Sequence, residues 1–244
     1  MIMIPDSPFY EHCRNILSKS ILFADLDAPT LQTMLGFYRR ETWDKGARLP
    51  PKHIGELFTV IISGRIELNR TNPDTGREVT LFALTAGDAF DVITLLDAKE
   101  HDINPVATEP IEVITAPIFK VRQWILTHPE FNRGFLPYLG EKIRRLESLS
   151  ADLALYDTTT RLAKMILTQA SPDLPIAGED GYLPPLVNTL SDEAMARMIG
   201  SVRVVVNRHL QDFIKMDMIS TTRGELVVRD LEKLREYCGK ALGE

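Results

Sequence analysis

The sequence predicts an α+β protein: a β-rich N-terminal domain, then a long helix, then a small helical C-terminal domain. Three observations lead there. Between about Gly36 and Phe119, short apolar runs are punctuated by turn residues, as in an antiparallel sheet closed into a sandwich or barrel. After Pro129 the apolar residues recur at three- and four-residue spacing instead. Near the C-terminus, two short apolar-patterned segments meet at Gly200 and are followed by two short strand-like runs.

The bulk numbers bound this reading. A chain of 244 residues that is 44% hydrophobic and 25% charged is globular, with room for one large domain or two ordinary ones. The formal charge of −6 argues against unspecific coating of nucleic acid or of an anionic membrane, but allows a local basic face. Cys13 and Cys238 lie near opposite ends with no CxxC pair, so they build neither a disulfide framework nor a zinc or four-cysteine iron–sulfur site. They fit a reducing cytosol, and a cytoplasmic location is expected. The N-terminal "MIMIPDSPFYEHCRNIL" turns polar within a few residues, so no signal peptide is read there and no membrane span anywhere.

In "LFADLDAPTLQTML", Asp27 and Pro29 open a short helix with Leu31 and Met34 or Leu35 inward. "ELFTVIISGRIELNR" alternates around Gly64, which predicts two strands meeting at a tight turn. "NPDTGREVTLFALTAGDAF" supplies a Pro-Asp-x-Gly loop, another strand and a break at Gly87. Farther on, Leu139, Ile143, Leu146, Leu149 and Leu153 form one stripe, with Glu141, Lys142, Arg144, Arg145 and Glu147 opposite. That is a helix of roughly 20 residues, about 30 Å long. Its stripe packs either on its own domain or, as we expect, on the same helix of a second chain. "TTTRLAKMILTQA" is a further helix, and "SPDLPIAGEDGYLPPLVNTL" a Pro/Gly-rich loop. The expected domains are 1–132, 133–157 for the long dimerisation helix, and 158–244.

The stretch "RVVVNRH" reads at first as a buried strand, because three consecutive valines favour a pleated surface. The apolar spacing Val206, Leu210, Phe213 makes it a helix instead, and turns Arg203, Val204, Asn207, Arg208 and Gln211 outward together. The preceding helix is capped by Ser191, carries Asp192 and Glu193 in its first turn, places Met195, Met198 and Ile199 inward and stops at Gly200. From Ala194 to Gln211 there are Arg197, Arg203, Arg208 and a histidine, and no acid. Residues 158–244 as a whole carry 11 basic and 12 acidic side chains, so any affinity for DNA must come from this local face and from its doubling in a dimer.

The order of β-rich domain, long helix, Pro/Gly loop, "LSDEAMARMIGSVRVVVNRHLQDFIKMDMIS" and "ISTTRGELVVRD" closely resembles the CRP/FNR family of bacterial transcription regulators. "FTVIISGRIELNR" and "LTAGDAF" match its N-terminal pattern. The resemblance implies a cyclic-nucleotide-binding-like β-roll, a dimerisation helix and a winged helix-turn-helix, acting as a homodimer on a double-stranded DNA operator with RNA polymerase as partner. The family motif Gly-x-Ser-Arg-Glu-Thr-Val-x-Arg falls on Gly200 to Arg208. It implies DNA contacts from Ser191, Ser201, Val202, Arg203, Val204, Val205, Asn207 and Arg208, with Thr221, Thr222 and Arg223 in the wing. Arg203 is expected at a guanine edge, a contact worth about 1–3 kcal/mol of discrimination. Val204 stands where the family has a glutamate, so an altered operator is expected, with a thymine methyl as the group a valine can touch. Val202 and Val205 lack hydroxyls that the family uses on phosphates.

The effector is not named by the sequence. In family members that bind cyclic AMP, a glutamate and an Arg-Ser pair follow the Gly-Asp turn. Here Val92 and the pair Asp102-Ile103 stand in those places, so cyclic AMP is disfavoured. Haem remains open, with His12, His53, His101 and His128 as candidate axial ligands, as do a small organic effector, another nucleotide or no effector. Two other classes fit the residues less well. A cupin-like enzyme is opposed by the presence of only His53 and His101 between residues 36 and 120. A nucleotide-binding regulatory subunit is opposed by the degraded cassette.

Overall fold

A computed structural model of the chain describes residues 7–49, 55–90, 92–99, 101–170, 185–188, 190–222 and 225–239. The chain forms two compact units, one of residues 1–74 and 81–145, the other of residues 75–80 and 146–244. Among the described residues, no helix is long and apolar enough to cross a membrane.

The first unit opens with helices α1 (Pro8–Leu17) and α2 (Ala28–Leu35). Asp27 caps α2 by accepting from Thr30 N at 2.8 Å, and Leu31, Met34 and Leu35 are all buried. Strands β1 (Arg39–Trp43), β2 (Leu57–Ser63), β5 (Ala89–Phe90) and β7 (Ile111–Pro117) form one sheet, ordered β1-β7-β2-β5. Strands β3 (Ile66–Thr71), β4 (Glu78–Leu84) and β6 (Asn104–Ala107) form a second sheet, ordered β4-β3-β6. Helices α3 (Val92–Asp97) and α4 (Ile118–Thr127) complete the unit; neither they nor α1 was anticipated from the sequence pattern.

The two strands expected to meet at Gly64 are β2 and β3, with Gly64 at φ +85° in the turn between them. They belong to different sheets, so the turn carries the chain from one sheet to the other. The strands do not alternate in burial either. Phe58, Val60 and Ile62 enter a core with the helices, while Thr59 and Ile61 on the opposite face are equally buried. A strand covered on both faces loses its period-two pattern.

Helix α5 runs from Asn132 to Leu155, 24 residues. Its first turns are fixed in the first unit by Phe135 and Tyr138, both buried. Gly134 lies against the chain at Ile21 and Leu22, where a Cβ would come within 2.4 Å of the Ile21 carbonyl oxygen. A polar network adds direction to this packing. The Tyr138 hydroxyl donates to Ala89 O at 2.9 Å and accepts from Ala89 N at 3.0 Å, while Lys142 Nζ pairs with Asp88 Oδ1 at 2.7 Å. Lys142 also lies 4.5 Å from the Tyr138 ring centroid. Burial and the adjacent Asp88 carboxylate push the Tyr138 phenol above its ordinary value, which keeps it a neutral donor.

Along α5, Leu136 is 62% exposed and Ile143 57%, Leu153 is also exposed, and Leu139, Leu146 and Leu149 are half-buried. Of the expected stripe only Ile143 and Leu153 are exposed, and Leu139 packs against the core of the first unit. Leu136, outside that stripe, is exposed one heptad before Ile143.

In the second unit α5 ends where Arg161 Nη1 donates to the carbonyl of Tyr156 at 2.9 Å. Helices α6 (Thr158–Gln169), α7 (Pro185–Asn188), α8 (Asp192–Met198), α9 (Arg203–Lys215) and α10 (Leu231–Cys238) surround a core of Leu162, Ile166, Val206, Phe213, Val228 and Leu234. Strands β8 (Ile219–Thr222) and β9 (Glu225–Val228) form an antiparallel pair.

Replacing Gly134 by alanine forces either a backbone shift in α5 or a retreat of the segment at Ile21. We expect a loss of about 1–3 kcal/mol, of the size typical of overpacking, read as a lower urea midpoint with an unchanged slope.

Candidate nucleic-acid interface

The interface is built on the α8–α9 pair. Ser191 accepts from Ala194 N at 3.2 Å and so caps α8, whose first turn holds Asp192 and Glu193. The helix ends by a paired backbone motif: Ser201 N donates to Ala196 O at 2.7 Å, and Gly200 N to Arg197 O at 3.3 Å. Gly200 takes φ +62°, the left-handed conformation that glycine adopts without a Cβ penalty. Met195 and Ile199 are buried as expected, whereas Met198 is half-buried and Ala196 fills the core in its stead.

Helix α9 follows after four residues, 199–202. Val206 and Phe213 are fully buried and His209 nearly so. That stripe sets the rotation of the helix. Arg203, Val204, Asn207, Arg208 and Gln211 are exposed as one face, Val205 is half-buried, and Val202 at the N-cap is exposed. Ser201, expected at DNA, is only 8% exposed because it lies inside the turn that closes α8. Ser191 is exposed at the start of α8, with its hydroxyl committed to the cap. Asn207 Nδ2 donates to Asp192 Oδ2 at 3.3 Å, which ties the exposed face of α9 back to α8. In the strand pair, Thr221 is exposed and Thr222 half-buried, while Arg223 lies outside the described residues. Arg229 Nε donates to Ser220 Oγ at 2.7 Å, and Asn188 holds the backbone of Leu226 in both directions at 2.6 and 2.9 Å.

Only two of the three arginines in the basic window are fully exposed, since Arg197 is half-buried. The histidine leaves the window altogether. His209 Nε2 lies 2.9 Å from Thr158 Oγ1, and Nδ1 lies 3.1 Å from Thr159 Oγ1, so the ring joins α9 to the first turn of α6. Burial first, and the neighbouring Arg208 second, hold His209 below its ordinary value, against the raising influence of Asp157 and Asp212. The sequence contained a partial cue to this role: position 209 lies three residues after Val206 and four before Phe213, on the apolar stripe.

The cassette positions and the candidate histidines lie as follows in the first unit. Val92 and Ile103 are buried, and Asp102 is exposed and paired with Arg70 at 3.3 Å. Among the histidines, His12 is exposed, His53 lies outside the described residues and His101 is half-buried. His128 caps α4, with Nδ1 2.9 Å from Trp124 O and its ring stacked 4.6 Å from that of Trp124. Among the described residues no group of three or more His, Cys, Asp or Glu side chains is placed to hold a metal ion.

Comparison with known proteins agrees with this architecture. Residues 160–237 match the Crp-like helix-turn-helix domain. The chain is 31% identical over 193 residues to the global nitrogen regulator of Synechocystis, covering 78% of this chain and 84% of that protein. It belongs to the CRP/FNR family of transcription regulators. A further CRP/FNR relative, the CRP-like cAMP-activated global transcriptional regulator of Mycobacterium tuberculosis, is 27% identical over 180 residues, 74% of this chain and 79% of the relative. Among solved CRP/FNR structures, a CooA variant from Carboxydothermus hydrogenoformans has a TM-score of 0.70 at 24% identity, covering 85% of this chain and 90% of its own. The c-di-GMP-responsive regulator CLP of Xanthomonas campestris has a TM-score of 0.71 at 17% identity, covering 83% and 99%. As a CRP/FNR protein the chain is a transcription regulator and not an enzyme, which removes the cupin-like reading.

Two predictions follow from the surroundings of α9. A histidine whose value is lowered by folding favours the neutral ring in the folded state, while the unfolded chain takes up its proton near pH 6.5. Stability is therefore complete above about pH 7 and lost as the pH falls through that value. Thermal melts of the full chain should show this loss in the second unit, and His209→Gln, which keeps a donor and an acceptor, should flatten it. The N-cap of α9 is Val202, which has no side chain able to cap. Val202→Ser should therefore stabilise the second unit by about 0.5–2 kcal/mol, read as a raised melting temperature.

Proposed function

We propose that the chain is a homodimeric regulator that binds a specific, two-fold symmetric DNA operator through α9, under the control of an effector in the β-domain other than cyclic AMP. The observation that carries the reading is the single outward face of α9, where Arg203 and Arg208 are exposed while Val206, His209 and Phe213 are buried. An exposed basic face at the start of the second helix of such a pair suits a major groove, with arginine as the side chain best fitted to a guanine edge. Arg203 reads a base, Arg208 reads a base or grips a phosphate, and Thr221, Thr222 and Arg223 meet the DNA backbone.

The dimer rests on the α5 seam. Leu136, Ile143 and Leu153 are large apolar side chains left exposed at coiled-coil spacing, and a second copy of the helix covers them. Domains 1–132, 133–157 and 158–244 then act as sensor, dimerisation helix and DNA-binding module. RNA polymerase is the protein partner and the cytoplasm the location.

Cyclic AMP does not suit the cassette. Val92 and Ile103 offer hydrocarbon where a ribose hydroxyl and a phosphate need polar partners, and Asp102 is an anion paired to Arg70. An effector of another chemistry acts by binding one arrangement of the dimer more tightly than the other.

Selection of sites from random double-stranded DNA, followed by affinity measurements across a salt series, tests the reading. The selected sites should be inverted repeats with half-sites about one helical turn apart, or a multiple of it. Arg203→Ala should weaken the selected site far more than random DNA, by about 1–3 kcal/mol per half-site. Equal losses on both would reduce Arg203 to a phosphate contact, and a selection without any preferred sequence would refute the proposal.

A further inference from the structure

Val204 is 79% exposed, and it is the one fully exposed apolar residue of α9: Val205, Leu210 and Ile214 are half-buried, and Val206 and Phe213 are buried. It stands beside Arg203 and one helical turn before Arg208, on the face directed outward. The other short side chain on that face is already engaged, since the Asn207 amide donates to Asp192. The outward surface of the first two turns of α9 is thus two long cations separated by hydrocarbon.

The major groove offers only one hydrocarbon group, the C5 methyl of thymine. Cytosine presents an amino group in the corresponding region, and guanine and adenine present acceptors or an amino group. A valine pressed against any of these polar edges strips them of water without replacing the hydrogen bond. Against a methyl it loses nothing and removes apolar surface from water.

We propose that Val204 is a specificity-determining residue that reads the C5 methyl of a thymine in each operator half-site. The assignment rests on the proposed DNA binding through α9. It differs from recognition by hydrogen bonds in that the discriminating group is the methyl itself, so a base with the same hydrogen-bonding edge and no methyl is discriminated against.

Deoxyuridine provides that base. The operator obtained by selection with the full chain is resynthesised with each thymine replaced in turn by deoxyuridine, in both half-sites, and affinity is measured by fluorescence anisotropy at constant salt. At one thymine position the loss of the methyl should weaken binding about fourfold per half-site, and so about fifteenfold for the pair. Val204→Ala, a change at an exposed position whose folding is checked by circular dichroism, should bind the selected operator more weakly and lose this sensitivity. Val204→Glu should move the preference at that position to cytosine, because a carboxylate accepts from its amino group. Selective binding with no thymine sensitive to the methyl, or with equal sensitivity in Val204→Ala, would overturn the proposal while leaving DNA binding intact. A thymine preference retained by Val204→Glu would overturn it as well. A selection that returns no preferred sequence would instead overturn both readings together.

Discussion

The burial of Val206, with His209 and Phe213 on the same stripe, decides what the second unit can do. A fully buried valine contributes about 1.5–3 kcal/mol relative to an exposed one, and a phenylalanine of that kind at least as much. Rotating α9 by one residue would expose these side chains and bury Arg203 or Arg208, and the cost of burying an unpaired guanidinium is larger still. The helix is therefore held in one rotation, and the exposed face is a consequence of the buried one. His209 sharpens this constraint because its hydrogen bonds to Thr158 and Thr159 depend on direction as well as on burial. The same bonds attach α9 to the first turn of α6, which begins three residues after the end of α5.

Within the first unit, the Gly87-Asp88 turn and α5 are joined by a comparable polar device. Tyr138 exchanges two hydrogen bonds with the backbone of Ala89, and Lys142 pairs with Asp88. Both side chains lie on the part of α5 that belongs to the first unit, and the turn leads into β5, which precedes α3. These contacts join the turn directly to the first-unit part of α5.

Much of this was legible in the sequence, and the failures have a common cause. The caps at Asp27 and Ser191, the stop at Gly200, the long helix after Pro129 and the outward face of α9 all depend on residues within about four positions of one another. The errors arose where a distant segment intervened. "ELFTVIISGRIELNR" reads as alternating, yet Phe58 to Ile62 are all buried because the strand is covered on both faces. Ser201 was expected at DNA, but the turn that closes α8 buries it. His209 counted toward a basic window until Thr158 and Thr159, some fifty residues earlier, proved to enclose it.

By itself the sequence determined the family, the helix-turn-helix and the identity of the side chains α9 presents, because helical periodicity and capping are local and a chain of this kind has few ways to bury Val206 and Phe213. Only the tertiary structure decided which of those side chains are available. Asn207 is tied to Asp192, His209 is enclosed by Thr158 and Thr159, and Arg197 is half-buried, whereas Val204 stands exposed between two exposed arginines. The reason is physical: availability depends on what the rest of the fold brings alongside a side chain, and such contacts leave no trace in the periodicity of the segment that makes them.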